Sequence, residues 1–185
     1  MAELRLPTQD SGGRANLHQG GIGVGIDIGS GITTHAIQYD KTIECYPDSR
    51  LPLRGVKIPY WKDILGLAIE AQTISQLGLA GIDIVIDRDK GPIILEINAR
   101  PGLSIQNANL APLNERLKRV EGLKIKSIRK GVRISQELFG GEVEEELEEI
   151  SGRRVIGINE PVEIFDSQNN KHLILCKVDT GAYRT

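Results

Sequence analysis

The chain has 185 residues, 39% of them hydrophobic and 26% charged, with a formal net charge of −2. That is the profile of an ordinary globular protein of one medium domain, or of one small domain plus part of another. It argues against a general nucleic-acid binder, which would be strongly basic, and no apolar stretch approaches the roughly 18 residues needed to cross a bilayer.

The N-terminus, "MAELRLPTQDSGGR", lacks the basic start and apolar core of a signal peptide. Ala2, Leu4 and Leu6 alternate as in a strand that begins at once. A chain that opens mid-strand is expected to lack its true beginning. Up to about residue 58 the pattern is one of short strands and glycine-rich turns, with "GVGIDIGSGITTHAIQYD" reading as a hairpin around Gly29-Ser30-Gly31. Pro59 then opens a helix in which Ile64, Leu67, Ala68, Ala71 and Ile74 recur at helical spacing, with Gly78 as its stop. Cys45 and Cys176 have no metal-ligand spacing and make no disulfide framework, so two reduced thiols in a cytoplasmic protein are expected.

Strands are expected over 82–87 and 92–98, followed by a loop with Arg100-Pro101-Gly102. A further helix is marked by Leu113, Leu117 and Val120 and ends near Gly122. Residues 123–152 shift from a basic stretch, "LKIKSIRKGVRISQ", to an acidic one, "GGEVEEELEEISG". This suits a charged linker with a solvated helix rather than a core. From Arg153 the strand pattern returns in "RRVIGINEPVEIF" and "LILCKV", separated by the polar turn "DSQNNKH".

Folded as a hairpin with its tip at Asp89-Lys90, residues 81–98 place Asp83 opposite Glu96 and Gly81 opposite Asn98. Side chains alternate between faces. Ile82, Ile84, Ile86, Ile93, Leu95 and Ile97 would then form an aliphatic core face, while Asp83, Glu96 and Asn98 share the other, with Gly81 leaving room beside Asn98. Two facing carboxylates repel, and a hard divalent cation such as Mg²⁺ reverses that sign. Spacing alone leaves a solvated outer face equally open.

The Asp, the Glu-x-Asn on the next strand and the Pro-Gly turn resemble the metal-binding end of the ATP-grasp ligases. "GRANLHQGG" at 13–21 is similar to the Arg-x-Asn-x-His-x-Gly-Gly segment of the RimK-like alpha-L-glutamate ligases. The likeness covers about residues 1–122, although "NARPG" replaces the more usual Asn-small-small-Pro-Gly and fits a RimK-related branch better than RimK itself. It implies an α+β fold, the C-terminal portion of an ATP-grasp fold with a mainly antiparallel sheet and helices. It also implies that Asp83, Glu96 and Asn98 hold one or two Mg²⁺, with Mn²⁺ as an alternative, against the phosphates of ATP. Arg14 would act catalytically by neutralising the transferring phosphoryl group, and Ala15 and Asn16 would line the nucleotide site. The reaction implied is ATP-dependent joining of a small-molecule or peptide carboxylate to an amine through an acyl phosphate, with glutamate as a candidate. Arg100 is a candidate anchor for an anionic substrate group. His18 reads equally as a proton carrier or a structural histidine. The family's phosphate-binding lysine and adenine-contacting segment lie N-terminal to the match, so weak or no ATP binding is expected of this chain alone.

Two further likenesses remain. "GVGIDIGSGITT" is similar to the first phosphate loop of the actin and sugar-kinase superfamily, but no second phosphate loop or adenosine loop follows, and a tight hairpin explains the same glycines. It is no dinucleotide-binding fingerprint either, since no helix follows the glycines. "LILCKVDTGAYRT" (173–185), with Asp179-Thr180-Gly181, resembles the active-site turn of retropepsin-like aspartic proteases of the RimB type, called ATP-dependent zinc proteases, although no zinc ligands accompany it. In such enzymes two Asp carboxylates share a proton, so Asp179 would be half a site in an incomplete β domain over 153–185. Peptidase activity of a longer parent, or a non-catalytic fragment, are the alternatives to ligation.

Overall fold

The computed structural model describes residues 1–47, 49–141, 159–166 and 170–177. Two compact units divide the chain, Met1–Val143 and Glu144–Thr185.

In the first unit, four antiparallel strands form one sheet in sequence order: β1 (Glu3–Leu6), β2 (Ile22–Ile26), β3 (Thr33–Gln38) and β4 (Lys41–Ile43). β2 is buried along its whole length, because it alternates two functions. Ile22, Val24 and Ile26 point into the core, where they meet Ala36, Leu53, Ile58, Trp61 and Leu65. Gly21, Gly23 and Gly25 leave the opposite face bare.

The β2–β3 hairpin forms where the sequence places it. Asp27 Oδ2 accepts from the Ser30 amide at 2.7 Å and from its hydroxyl at 2.5 Å, closing the turn from inside. Helix α1 (Trp61–Ser75) then locks it: the Trp61 indole N–H donates to the Ile28 carbonyl at 2.8 Å. The same ring lies on Gly31, whose φ of 70° and lack of a β-carbon both suit the contact. The helix starts two residues after Pro59, and its buried line runs through Trp61, Leu65 and Ala71. Ile74 is 75% exposed, because the helix ends one residue later with Gln76 in the left-handed region.

β5 (Gly81–Asp87) and β6 (Gly91–Asn98) form a separate two-stranded antiparallel sheet. α2 (Ile105–Ala108), α3 (Leu113–Val120) and α4 (Ile128–Phe139) follow. The basic stretch expected to be a solvated connector is α4, and it packs on the core. Its Gly131 lies so close to Ile69 of α1 that a β-carbon would stand 3.0 Å from it, and Val132 and Phe139 border the buried cluster around Trp61. The Gln136 amide donates to the Gly29 carbonyl at 2.7 Å, so α4 clasps the hairpin turn from the other side. The charges of this stretch sit on the outer face, which is why its composition hides its packing.

The second unit contains a hairpin of β7 (Asn159–Phe165) and β8 (Lys171–Lys177). Asp166 caps its turn, accepting from the Asn170 backbone at 2.8 Å and side chain at 3.0 Å. The architecture is thus α+β with every strand pair antiparallel among the described residues. No helix among them is long and apolar enough to cross a membrane.

Candidate functional site

β5 and β6 pair Asp83 with Glu96 and Gly81 with Asn98. This register arises from two offsets that cancel. Asp87 pairs with Gly91, so the loop is Arg88-Asp89-Lys90 rather than a two-residue tip, and the Asp87 side chain accepts from the amides of Asp89 and Lys90. That shifts the strands by one. Between Asp83 and Ile84 a bulge, with Leu95 as its extra residue, shifts them back. Because pairs alternate faces, Asp83, Glu96 and Asn98 end on the same side.

The bulge corrects the expected apolar face. Ile94 and Pro92 replace Leu95 and Ile93 opposite Ile84 and Ile86. Nor is that face a core: Leu95 is 65% exposed, and Ile97 and Ile86 are also exposed. β5–β6 is a two-stranded sheet without a third strand, and α1 is the element packed against both of its strands. The room expected beside Asn98 at Gly81 is filled as well. Pro101 packs there, 2.5 Å from where a β-carbon would stand.

Asp83 and Glu96 are both exposed, and neither has a hydrogen-bond or ion-pair partner among the described residues. Two opposed, unpartnered carboxylates with an amide oxygen beside them form a hard-oxygen donor set suited to Mg²⁺. Asn98 Oδ1 also accepts from the Arg100 amide at 3.0 Å, which fixes its rotamer and starts the loop. Arg100 itself is exposed. No cluster of three or more His, Cys, Asp or Glu that could hold a metal occurs among the described residues.

The Arg14–His18 segment is held from both ends. Upstream, Thr8 and Ser11 are buried and staple each other, and the Thr8 hydroxyl donates to the Gly20 carbonyl at 2.8 Å. Gly12 and Gly13, with φ of 61° and 77°, let the chain turn back toward Arg14. Downstream, Asn16 caps a short 3-10 turn over Leu17–Gln19, its side chain accepting from the His18 amide at 3.0 Å. Gly21 must be glycine, since a β-carbon would stand 2.8 Å from the Asn16 carbonyl oxygen. Arg14, Ala15, Asn16 and His18 are all exposed.

The bare face of β2 brings these two segments together. Leu17 lies over Gly23, with its Cδ2 2.8 Å from the position of an added β-carbon. Ala108 of α2 lies over Gly25, where a β-carbon would strike its carbonyl oxygen. The Asn109 side chain then ties α2 to β1 by donating to the Ala2 carbonyl at 3.0 Å. So the segment after Arg14 and the segment after Asn98 dock two residues apart on one strand.

Between them is a cleft of about 400 Å³, with His18 on one side, Ser104 and Asn107 on another, and Tyr39 and Asp40 at the β3–β4 turn. This turn is strained. Tyr39 and Asp40 have φ of 50° and 57°, the geometry for which hairpins favour Asn-Gly. Left-handed backbone costs about 1–2 kcal/mol for each such residue. Tyr39 packs onto Gly20, and the Asn107 amide donates to Asp40 Oδ1 at 3.1 Å. Sequence reading missed this cleft. Its one available signal was the glycine–aliphatic alternation of "GGIGVGI", which marks a strand with one face open to close approach. Asp179, the expected protease residue, lies outside the described residues.

A family model described as sugar-transfer associated ATP-grasp matches residues 1–122. No curated protein and no solved structure matches.

Proposed function

The chain belongs to the sugar-transfer associated ATP-grasp family, and from that premise we propose that it joins a carboxylate to an amine through an acyl phosphate. Membership carries the general class, an ATP-dependent, ligase-type enzyme acting on small molecules. The finer reading rests on one observation: Asp83 faces Glu96 across the β5–β6 ladder, with Asn98 on the same face.

In this reading Asp83, Glu96 and Asn98 hold Mg²⁺, or Mn²⁺ in its place. The cation, when bound, neutralises charge on the β- and γ-phosphates of ATP. Arg14 offers its guanidinium to the phosphoryl group in transfer, and Ala15 and Asn16 border the nucleotide. A substrate carboxylate oxygen attacks the γ-phosphorus and ADP leaves. The amine nitrogen then attacks the acyl carbon, phosphate leaves, and the nitrogen gives up a proton as the amide forms. The protein contributes position and positive charge rather than a nucleophile. Arg100, on the loop that Asn98 starts, binds an anionic group of the carboxylate substrate. The likeness of residues 13–21 to RimK-like ligases makes glutamate one candidate amine.

The test is ADP release in the presence of paired substrates and of Mg·ATP in large excess, because weak nucleotide binding is expected of this chain alone. The reading expects release to require both a carboxylate and an amine, and to be lost in Asp83→Ala and Glu96→Ala. Release that survives both substitutions contradicts it.

A further inference from the structure

We propose that the cleft between His18, Asp40 and Asn107 is the amine subsite, and that it selects a primary amine carried on an uncharged, hydrogen-bonding body. The acceptor role rests on the ligase reading above; the recognition chemistry stands on the cleft itself.

The cleft is walled by the two segments that carry the ligase residues. His18 is four residues beyond Arg14, and Ser104 and Asn107 come six and nine residues after Asn98. A substrate seated there lies beside both segments. Gly21 and Ile37, both buried, also line the cleft. The lining contains one carboxylate, Asp40, and no Lys or Arg. An ammonium group therefore finds a charged acceptor in Asp40, whereas a substrate carboxylate finds no Lys or Arg to pair with. Ser104 and Asn107 supply neutral donors and acceptors for hydroxyl or amide groups, the His18 ring adds nitrogen hydrogen-bonding positions, and Leu17, Ile37 and Leu103 supply apolar contact. This set disfavours free glutamate, whose two carboxylates would be left unpaired.

Asp40 is held for this task. It sits in a left-handed turn with no glycine, and the Asn107 amide fixes one of its oxygens. Strained, non-glycine backbone beside a cleft is a recurrent mark of a binding site.

The experiment is an amide-resolved NMR titration of the full chain with glucosamine, glucose and L-glutamate, without ATP or metal. Glucosamine is the amine on an uncharged polar body, glucose removes the ammonium, and glutamate adds carboxylates. The proposal expects glucosamine to shift the signals of His18, Asp40, Ser104 and Asn107 at concentrations about tenfold below those needed for either comparator. Asp40→Asn should erase that preference while leaving the melting temperature equal or higher, since Asn tolerates left-handed backbone and can still accept from Asn107. Glutamate or glucose matching glucosamine, an undiminished preference in Asp40→Asn, or no response at the cleft would overturn it. Metal binding at Asp83 and Glu96 is measured separately, so failure of the ligase reading is distinguishable from failure of amine recognition.

Discussion

Pro101 lies against the backbone of Gly81, its Cβ 2.5 Å from where a side chain would begin. Through this contact the loop after Asn98 folds back on the strand that carries Asp83. The loop is thereby anchored at both ends, by Pro101 on Gly81 and by Ala108 on Gly25.

Gly81→Ala should therefore push Pro101 away and cost about 1–3 kcal/mol, as overpacking does. Gly78 is a matched control, because nothing lies within 4 Å of its missing β-carbon. Gly78→Ala should be neutral or stabilising by about 0.4–1 kcal/mol. Thermal denaturation of the two variants checks both signs.

The facing carboxylates make an opposite kind of prediction. Asp83→Asn should raise stability slightly in metal-free buffer, because directly opposed like charges cost about 0.2–1 kcal/mol. The same variant should lose ATP-dependent ADP formation by about a hundredfold or more. Melting curves with and without Mg²⁺, beside a coupled ADP assay, separate the two effects. A variant both less stable and fully active would be inconsistent with the assignment.

The docking of α2 on β2 should respond to Gly25→Ala. A β-carbon there meets the Ala108 carbonyl and Thr34 Oγ1, so α2 must lift and carry Asn107 away from Asp40. The expected outcome is a loss of about 1–3 kcal/mol together with altered amide signals at Asn107 and Asp40. A change confined to β2 would show that the helix is not held this way.

Trp61→Phe tests the clamp on the β2–β3 turn. It keeps most of the apolar contact and removes the bond to the buried Ile28 carbonyl, at a cost of about 1–3 kcal/mol. Urea denaturation gives the value.

These relationships differ in how far they could be read beforehand. The β2–β3 and β5–β6 hairpins and α1 were legible because alternation and helical spacing are direct consequences of one-sided burial. The pairing of Asp83 with Glu96 was legible too, although the route to it was not: no residue type announces Leu95 as a bulge, and the loop is one residue longer than expected. The packing of α4 was hidden because Val132 and Phe139 are diluted by charged neighbours that face outward. Tyr39 and Asp40 carry no glycine to mark a left-handed turn, so their side of the cleft left no local trace, and only the glycines of β2 hinted at the other. Long-range contacts such as Leu17 on Gly23 depend on the assembled sheet and are not encoded in any short window.

The central claim is that Asp83, Glu96 and Asn98 grip a divalent cation, and Mn²⁺ tests it most directly, through paramagnetic broadening of backbone amide signals. The account predicts that substoichiometric Mn²⁺ broadens residues 81–83 and 96–98 first, and that Asp83→Ala or Glu96→Ala abolishes this footprint. Broadening spread evenly over the acidic surface, or unchanged by either substitution, would contradict it.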